Sequence, residues 1–221
     1  MYMKMNKSEI ISLMNRVLEE EVDDISTSHY NKMYNCLEKI TLRGWWNDEF
    51  ASDDYMAFIV RQAYWNLSHG IPVENIPRGY RNNNPCNIRL TSSKWQGLCL
   101  EQKDVSFCQF VNLTYGYRAV FKLLNNYYLK HNCIDVRSII SRWAPVGDGN
   151  NTKAYIVYVA SNSGVTPAKP LMQPGVDMAF WVRFVVAMSE MENGLSSGYT
   201  KHELKEKAGE AWNLLFAEDS L

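Results

Sequence analysis

Pro77-Arg78-Gly79-Tyr80-Arg81-Asn82-Asn83-Asn84-Pro85-Cys86-Asn87-Ile88-Arg89 is the stretch on which the reading of this 221-residue chain turns. Three consecutive asparagines between two arginines do not suit an apolar core. Asparagine side chains bond to nearby backbone and tolerate left-handed conformations, so the run favours turns over helix or strand. Pro85 removes a backbone donor and pushes Asn84 towards an extended shape. The segment reads as a rigid, amide-lined loop that leads into a short strand at Ile88. Two roles stay open for it. It is either a structural knot of Asx turns or a groove whose amides both donate and accept hydrogen bonds to a neutral ligand, such as an amino sugar.

Downstream of this loop the pattern stays irregular. From His69 to Phe110 there are Gly, Pro and Asn clusters with short apolar stretches at Ile88, Leu98 to Leu100 and Phe107 to Phe110. This is the one region that reads as β: two or three short strands in a hairpin or small sheet. The rest reads as helix. Ser8 can cap a helix carrying Ile10, Met14, Val17 and Leu18 on one face. A second runs from Thr27 to Ile40 and a third from Ser52 to Leu67. Helices resume after Thr114, with Asp135 capping one, Thr152 capping another that runs to Ser163 and stops at Gly164, and Val176 to Met191 forming an apolar one. Thr200 and Glu203 form a capping box for the last. The class is therefore mainly α with a small β-hairpin lobe, an α+β arrangement. Three parts follow: an N-terminal helical region over 1–75, the motif region with the β-lobe over 76–165, and C-terminal helices over 166–221 that pack on the same domain.

Composition narrows the function. A net charge of -1 and a pI near 6.4 argue against a broad nucleic-acid surface. No apolar run approaches the roughly 20 residues that a membrane helix needs. The N-terminus, interrupted by charges, lacks the apolar segment of a secretory signal. The chain is thus expected to be made in the cytoplasm of its host. Five cysteines without CxxC spacing fit reduced thiols better than a disulfide framework or a zinc site. His29, His69, His131 and His202 are scattered without HExxH spacing, so neither a metal nor another cofactor is expected. Thirteen tyrosines and seven tryptophans supply core and, in some cases, flat surfaces for sugars.

A wider pattern carries a resemblance. Arg78-Gly79-Tyr80-Arg81-Asn82-Asn83-Asn84-Pro85, Asn87-Ile88, Trp95-Gln96-Gly97, Phe107 and Phe110 occur in order. Gly116-Tyr117-Arg118-Ala119, Arg142-Trp143-Ala144-Pro145, Thr152 and Tyr155 follow. Over residues 76–165 the chain resembles a family of phages and prophages whose members are commonly described as virion or structural proteins and look lysozyme-like. Bacterial cell-wall glucosaminidases place an Asn-rich turn, a short hairpin and helices in a similar order. The resemblance implies a lysozyme-like fold with a cleft between β-lobe and helices, and cleavage of peptidoglycan glycan by a muramidase, transglycosylase or glucosaminidase reaction. Its implied partners are that glycan and other virion proteins, and its implied place of action is the virion or the cell wall. The alternative is a non-catalytic virion or wall-binding protein on the same scaffold.

Glycoside cleavage needs a carboxyl group that donates a proton and usually a second carboxylate. Glu101, inside the β region, has apolar neighbours that can raise its pKa, although Gln102, Lys103 and Asp104 also suit a solvated turn. Glu74 precedes the Asn run, where lysozyme-like enzymes place their acid, but Pro72 and Pro77 put it in a loop. Asp148 stands where the family carries a glutamate after Trp-Ala-Pro, one methylene shorter and between two glycines. The expected binding residues are Tyr80, Arg81, Asn82, Asn83, Asn84, Asn87 and Trp95, with Tyr80 and Trp95 as stacking rings. Cys86 stands where the family has glycine. A positive φ there would strain a cysteine by about 1 kcal/mol or more.

Overall fold

The first helix starts from Asn6. Its side chain accepts from the Glu9 N–H at 3.0 Å while the Glu9 carboxylate accepts from the Asn6 N–H at 2.8 Å. This reciprocal cap leaves Ser8 inside the first turn rather than ahead of it. The computed structural model describes residues 6–21, 25–42, 53–194 and 198–217. Helix α1 (Lys7–Glu21) is followed by α2 (Thr27–Leu42) and α3 (Asp53–Ser68), and the three pack on one another. Ile10, Met14, Val17 and Leu18 are buried as their spacing requires. The expected start of α3 at Ser52 lies outside the described residues.

A four-residue helix, α4 (Arg78–Arg81), sits inside the Asn loop. Then come α5 (Leu113–His131), α6 (Val136–Trp143), a 3-10 turn (Val146–Asp148), α7 (Thr152–Ser163), α8 (Met178–Asn193) and α9 (Lys201–Phe216). Asp135 caps α6 and Thr200 with Glu203 boxes the start of α9. Gly164 ends α7 in the left-handed conformation. Asn151, not Thr152, caps α7, because the Thr152 hydroxyl donates instead to the Ala144 carbonyl at 2.6 Å.

Helix α8 is the centre of the molecule, packed on α7 and α9, while α5 packs on α9. Trp181, Phe184, Val185, Val186 and Met188 are fully enclosed, each such side chain contributing about 1.5–3 kcal/mol by leaving water. The N-terminal helices join this body through aromatic rings. Phe58 of α3 stacks on Tyr199 with centroids 4.5 Å apart and meets Tyr80 edge-on at 5.9 Å. Arg61 of α3 pairs with Glu203 of α9 at 2.7 Å.

The β-hairpin lobe is absent, and the α+β, lysozyme-like class gives way to an all-helical one. Among the described residues the region holds no sheet, only two isolated antiparallel bridges, Arg89 with Phe107 and Leu98 with Phe110. The cause is the side-chain amides. Asn84 Nδ2 donates to the carbonyls of Ile88 and Cys108, both at 2.9 Å, and its Oδ1 accepts from the Ile88 N–H at 2.8 Å. Gln102 Nε2 donates to the Cys99 and Gln109 carbonyls, and Gln109 Oε1 accepts from the Lys103 and Asp104 N–H groups. A few backbone pairs do cross the region, such as the Cys108 N–H to the Ile88 carbonyl and the Cys99 N–H to the Gln109 carbonyl, while the amides satisfy backbone groups beside them and the pairing goes no further.

No helix among the described residues is long and apolar enough to cross a membrane.

Candidate functional site

The Asn loop is held from inside. Asn83 and Asn87 both have left-handed backbones, φ 51° and 52°, which asparagine tolerates better than most residues. Asn82 Nδ2 donates to Asp104 at 2.8 Å and Asn83 Nδ2 to the Phe110 carbonyl at 3.2 Å. Asn82, Asn83 and Asn84 are all buried, and so is Tyr80. Their polar atoms bind the protein itself. Gly116 of α5 lies against this loop so closely that a Cβ would meet the Asn83 carbonyl and the Pro85 ring.

Asp104 closes the loop. Desolvation opposes its charge, but hydrogen bonds from Asn82 and the Ser106 and Phe107 N–H groups, with the Arg78 guanidinium nearby, outweigh it and hold its pKa below the usual carboxylate value. Arg81 is half-buried, and its carbonyl accepts from the Tyr55 hydroxyl at 3.0 Å. Trp95 is half-buried, packed against the core. Cys86 has no positive φ, so cysteine carries no backbone strain there. Its thiol is enclosed, and burial, then the charge of Glu192, raises its pKa well above the ordinary value. That suppresses the nucleophilic thiolate.

Glu74, Glu101 and Asp148 sit exposed on three different loops. Asp148 ends the 3-10 turn between α6 and α7. Among the described residues no group of three His, Cys, Asp or Glu side chains is placed to hold a metal ion.

Asn87 leads to the site. Unlike the three asparagines before it, it is half-buried and sends Nδ2 outward to Glu192 Oε2 at 3.0 Å. Trp143, the last residue of α6, donates its indole N–H to Glu192 Oε1 at 3.2 Å. Tyr155 of α7 donates its hydroxyl to the same oxygen at 3.1 Å and to the Met188 carbonyl at 3.3 Å. Burial, then the Glu192 charge, raises the Tyr155 pKa well above its ordinary value, so the hydroxyl stays a donor. Neighbouring Asn193 fastens the helix end to the loop, donating to the Pro85 carbonyl at 2.7 Å. Three side chains from separate segments thus converge on one half-buried carboxylate in the last turn of α8.

An acid in that turn opposes the helix macrodipole, which favours cations at a C-terminus. Glu190 and Glu192 both stand there, with no basic residue in the turn. They face different sides. Glu190 is buried and serves packing, accepting from Tyr158 at 3.0 Å and pairing with Lys201 at 3.1 Å. Glu192 takes the side that meets Asn87, Trp143 and Tyr155. A groove of about 470 Å³ between α1, α3 and the start of α9, lined in part by Tyr64, Trp65, His69 and Lys201, contains none of these groups.

The chain is 35% identical over 136 residues to "Protein P5" of Pseudoalteromonas phage PM2, an alignment that spans 81% of that protein and 60% of this chain. The chain belongs to the Protein P5 family. It is accordingly a phage-associated protein. No protein-family model matches it.

Proposed function

We propose that this member of the Protein P5 family engages bacterial peptidoglycan and cleaves its glycan strand, with Glu192 as the acid. The observation that carries the reading is the convergence of Asn87, Trp143 and Tyr155 on Glu192. Three fixed donors give the carboxyl one orientation, and an oriented acid is what proton transfer to a glycosidic oxygen requires. An incoming glycosidic oxygen displaces one of the resting donors and accepts a hydrogen bond from the protonated Glu192 carboxyl. The Glu192 proton passes to the leaving oxygen, the bond from the anomeric carbon to that oxygen breaks, and a water or sugar hydroxyl bonds to the anomeric carbon while its own proton passes to a carboxylate. In this reading Asp148 serves as the second carboxylate, which orients that nucleophile. Its loop is closed by the Thr152 bond to Ala144 and the Asn150 bond to Pro145, and in the sequence it falls between the two Glu192 partners Trp143 and Tyr155. Where the nucleophile is the sugar's own hydroxyl, Glu192, left as a carboxylate after donating its proton, takes the hydroxyl proton and serves alone.

A second reading, a wall-binding virion protein without turnover, draws on one observation. Both oxygens of Glu192 already accept hydrogen bonds from the protein. The test is release of soluble fragments from purified peptidoglycan, with product masses, for wild type, Glu192→Gln and Asp148→Asn. Disaccharide-sized fragments that vanish in Glu192→Gln support the enzyme. Cosedimentation without release by the wild type leaves the binding protein.

A further inference from the structure

Beside Glu192 the surface continues into a charged aromatic strip. The Trp143 ring that touches Glu192 also packs on Tyr127 of α5, centroids 6.2 Å apart. The Arg142 guanidinium lies over the Tyr127 ring at 5.0 Å and its Nη2 meets His131 Nε2 at 3.2 Å. His131 in turn meets Tyr127 edge-on at 6.3 Å. Arg142 and His131 are exposed, and Tyr127 and Trp143 are half-buried, so the strip faces solvent. Arg61 and Arg78 each have a carboxylate partner, Glu203 and Asp104. Among the described residues no carboxylate lies within salt-bridge distance of Arg142.

Tyr127 and His131 hold one side of the Arg142 guanidinium in place, and on this exposed side chain the remaining N–H donors are left to bind a carboxylate. From this geometry we infer that Arg142, presented by Tyr127 and His131, is a carboxylate-binding subsite next to Glu192, which directs the site to acidic glycan rather than neutral polymers of N-acetylglucosamine. The inference rests on the cell-wall reading above and names the substrate class. In peptidoglycan the carboxylates belong to the lactyl group of muramic acid, once its peptide is removed, or to the peptide itself.

The test is cosedimentation of the full chain at low salt with three insoluble glycans: intact peptidoglycan, peptidoglycan stripped of peptides to expose lactyl carboxylates, and chitin, which has none. Arg142→Gln lowers affinity for a carboxylate-bearing glycan about five- to tenfold and leaves the weaker chitin binding unchanged, and Arg142→Lys recovers part of the loss. An effect on intact peptidoglycan alone assigns the carboxylate to the peptide. An effect on the stripped polymer assigns it to the lactyl group. Equal loss on all three glycans, or no loss on any, overturns the inference while the cell-wall reading stands. A wild type that sediments with none of them overturns the inference, and one that also releases no soluble fragments from peptidoglycan overturns the cell-wall reading as well.

Discussion

The two polar regions of this protein use the same chemistry for opposite ends. In the Asn loop, Asn82, Asn83 and Asn84 turn inward and satisfy groups of the protein's own loops. At the end of α8, Glu192 gathers side chains from the Asn loop, α6 and α7 at a half-buried surface position. Asn87 belongs to both, with its strained backbone in the first region and its amide in the second. The contrast separates polar residues that make the fold from those a fold can present to a ligand. Inward amides replace a missing sheet. Convergent side chains surround one carboxylate.

Mutations can break that contrast in order of size. Asn84→Ala removes three buried hydrogen bonds and leaves Ile88 and Cys108 backbone groups unpaired. We expect a loss of about 3–5 kcal/mol in denaturant unfolding. Gly116→Ala gains about 1 kcal/mol of helix propensity, but its Cβ meets backbone at Asn83. The clash wins, with a net loss of about 2 kcal/mol by the same measurement. Tyr155→Phe keeps the ring and removes the hydroxyl bonds to Glu192 and Met188. Stability should fall by only about 1 kcal/mol, while fragment release falls about tenfold or more through the misplaced carboxyl.

The smallest effect is on pH dependence. Asp104 has a folded pKa below its unfolded value. Its contribution is therefore complete above the unfolded carboxylate pKa, at about 4, and is lost as pH falls through it towards the folded value. Asp104→Asn should flatten the stability profile below about pH 4 and change its slope little at neutral pH. An unchanged acid limb would remove Asp104 from the account of the loop.

Much of the helical frame was legible. The spacing of Ile10, Met14, Val17 and Leu18, the Asp135 cap, the Gly164 stop and the Thr200–Glu203 box all stand where periodicity and capping chemistry put them. The β-lobe misled because Ile88, Leu98 to Leu100 and Phe107 to Phe110 look like strands by apolar content. Only isolated backbone pairs form there, and much of the remaining backbone is satisfied by Asn84, Gln102 and Gln109 through side-chain bonds with no sequence period. Asn87 was expected to line the groove, and Trp143 and Tyr155 were visible as motif residues. Glu192 was not, since it lies beyond the motif region, in a helix whose apolar content reads as core. The available signal was electrostatic: two acids and no base in the final turn of α8, where the macrodipole disfavours them.

The most direct test of the central claim is fragment release from purified peptidoglycan per folded molecule, with Glu192→Gln compared against Asn83→Ala. The account predicts that Glu192→Gln keeps the wild-type fold by circular dichroism and loses at least about 100-fold in release, about 2.7 kcal/mol of barrier. Asn83→Ala, though less stable, should release fragments at the wild-type rate from its folded fraction. A folded Glu192→Gln that releases fragments at the wild-type rate would contradict the account.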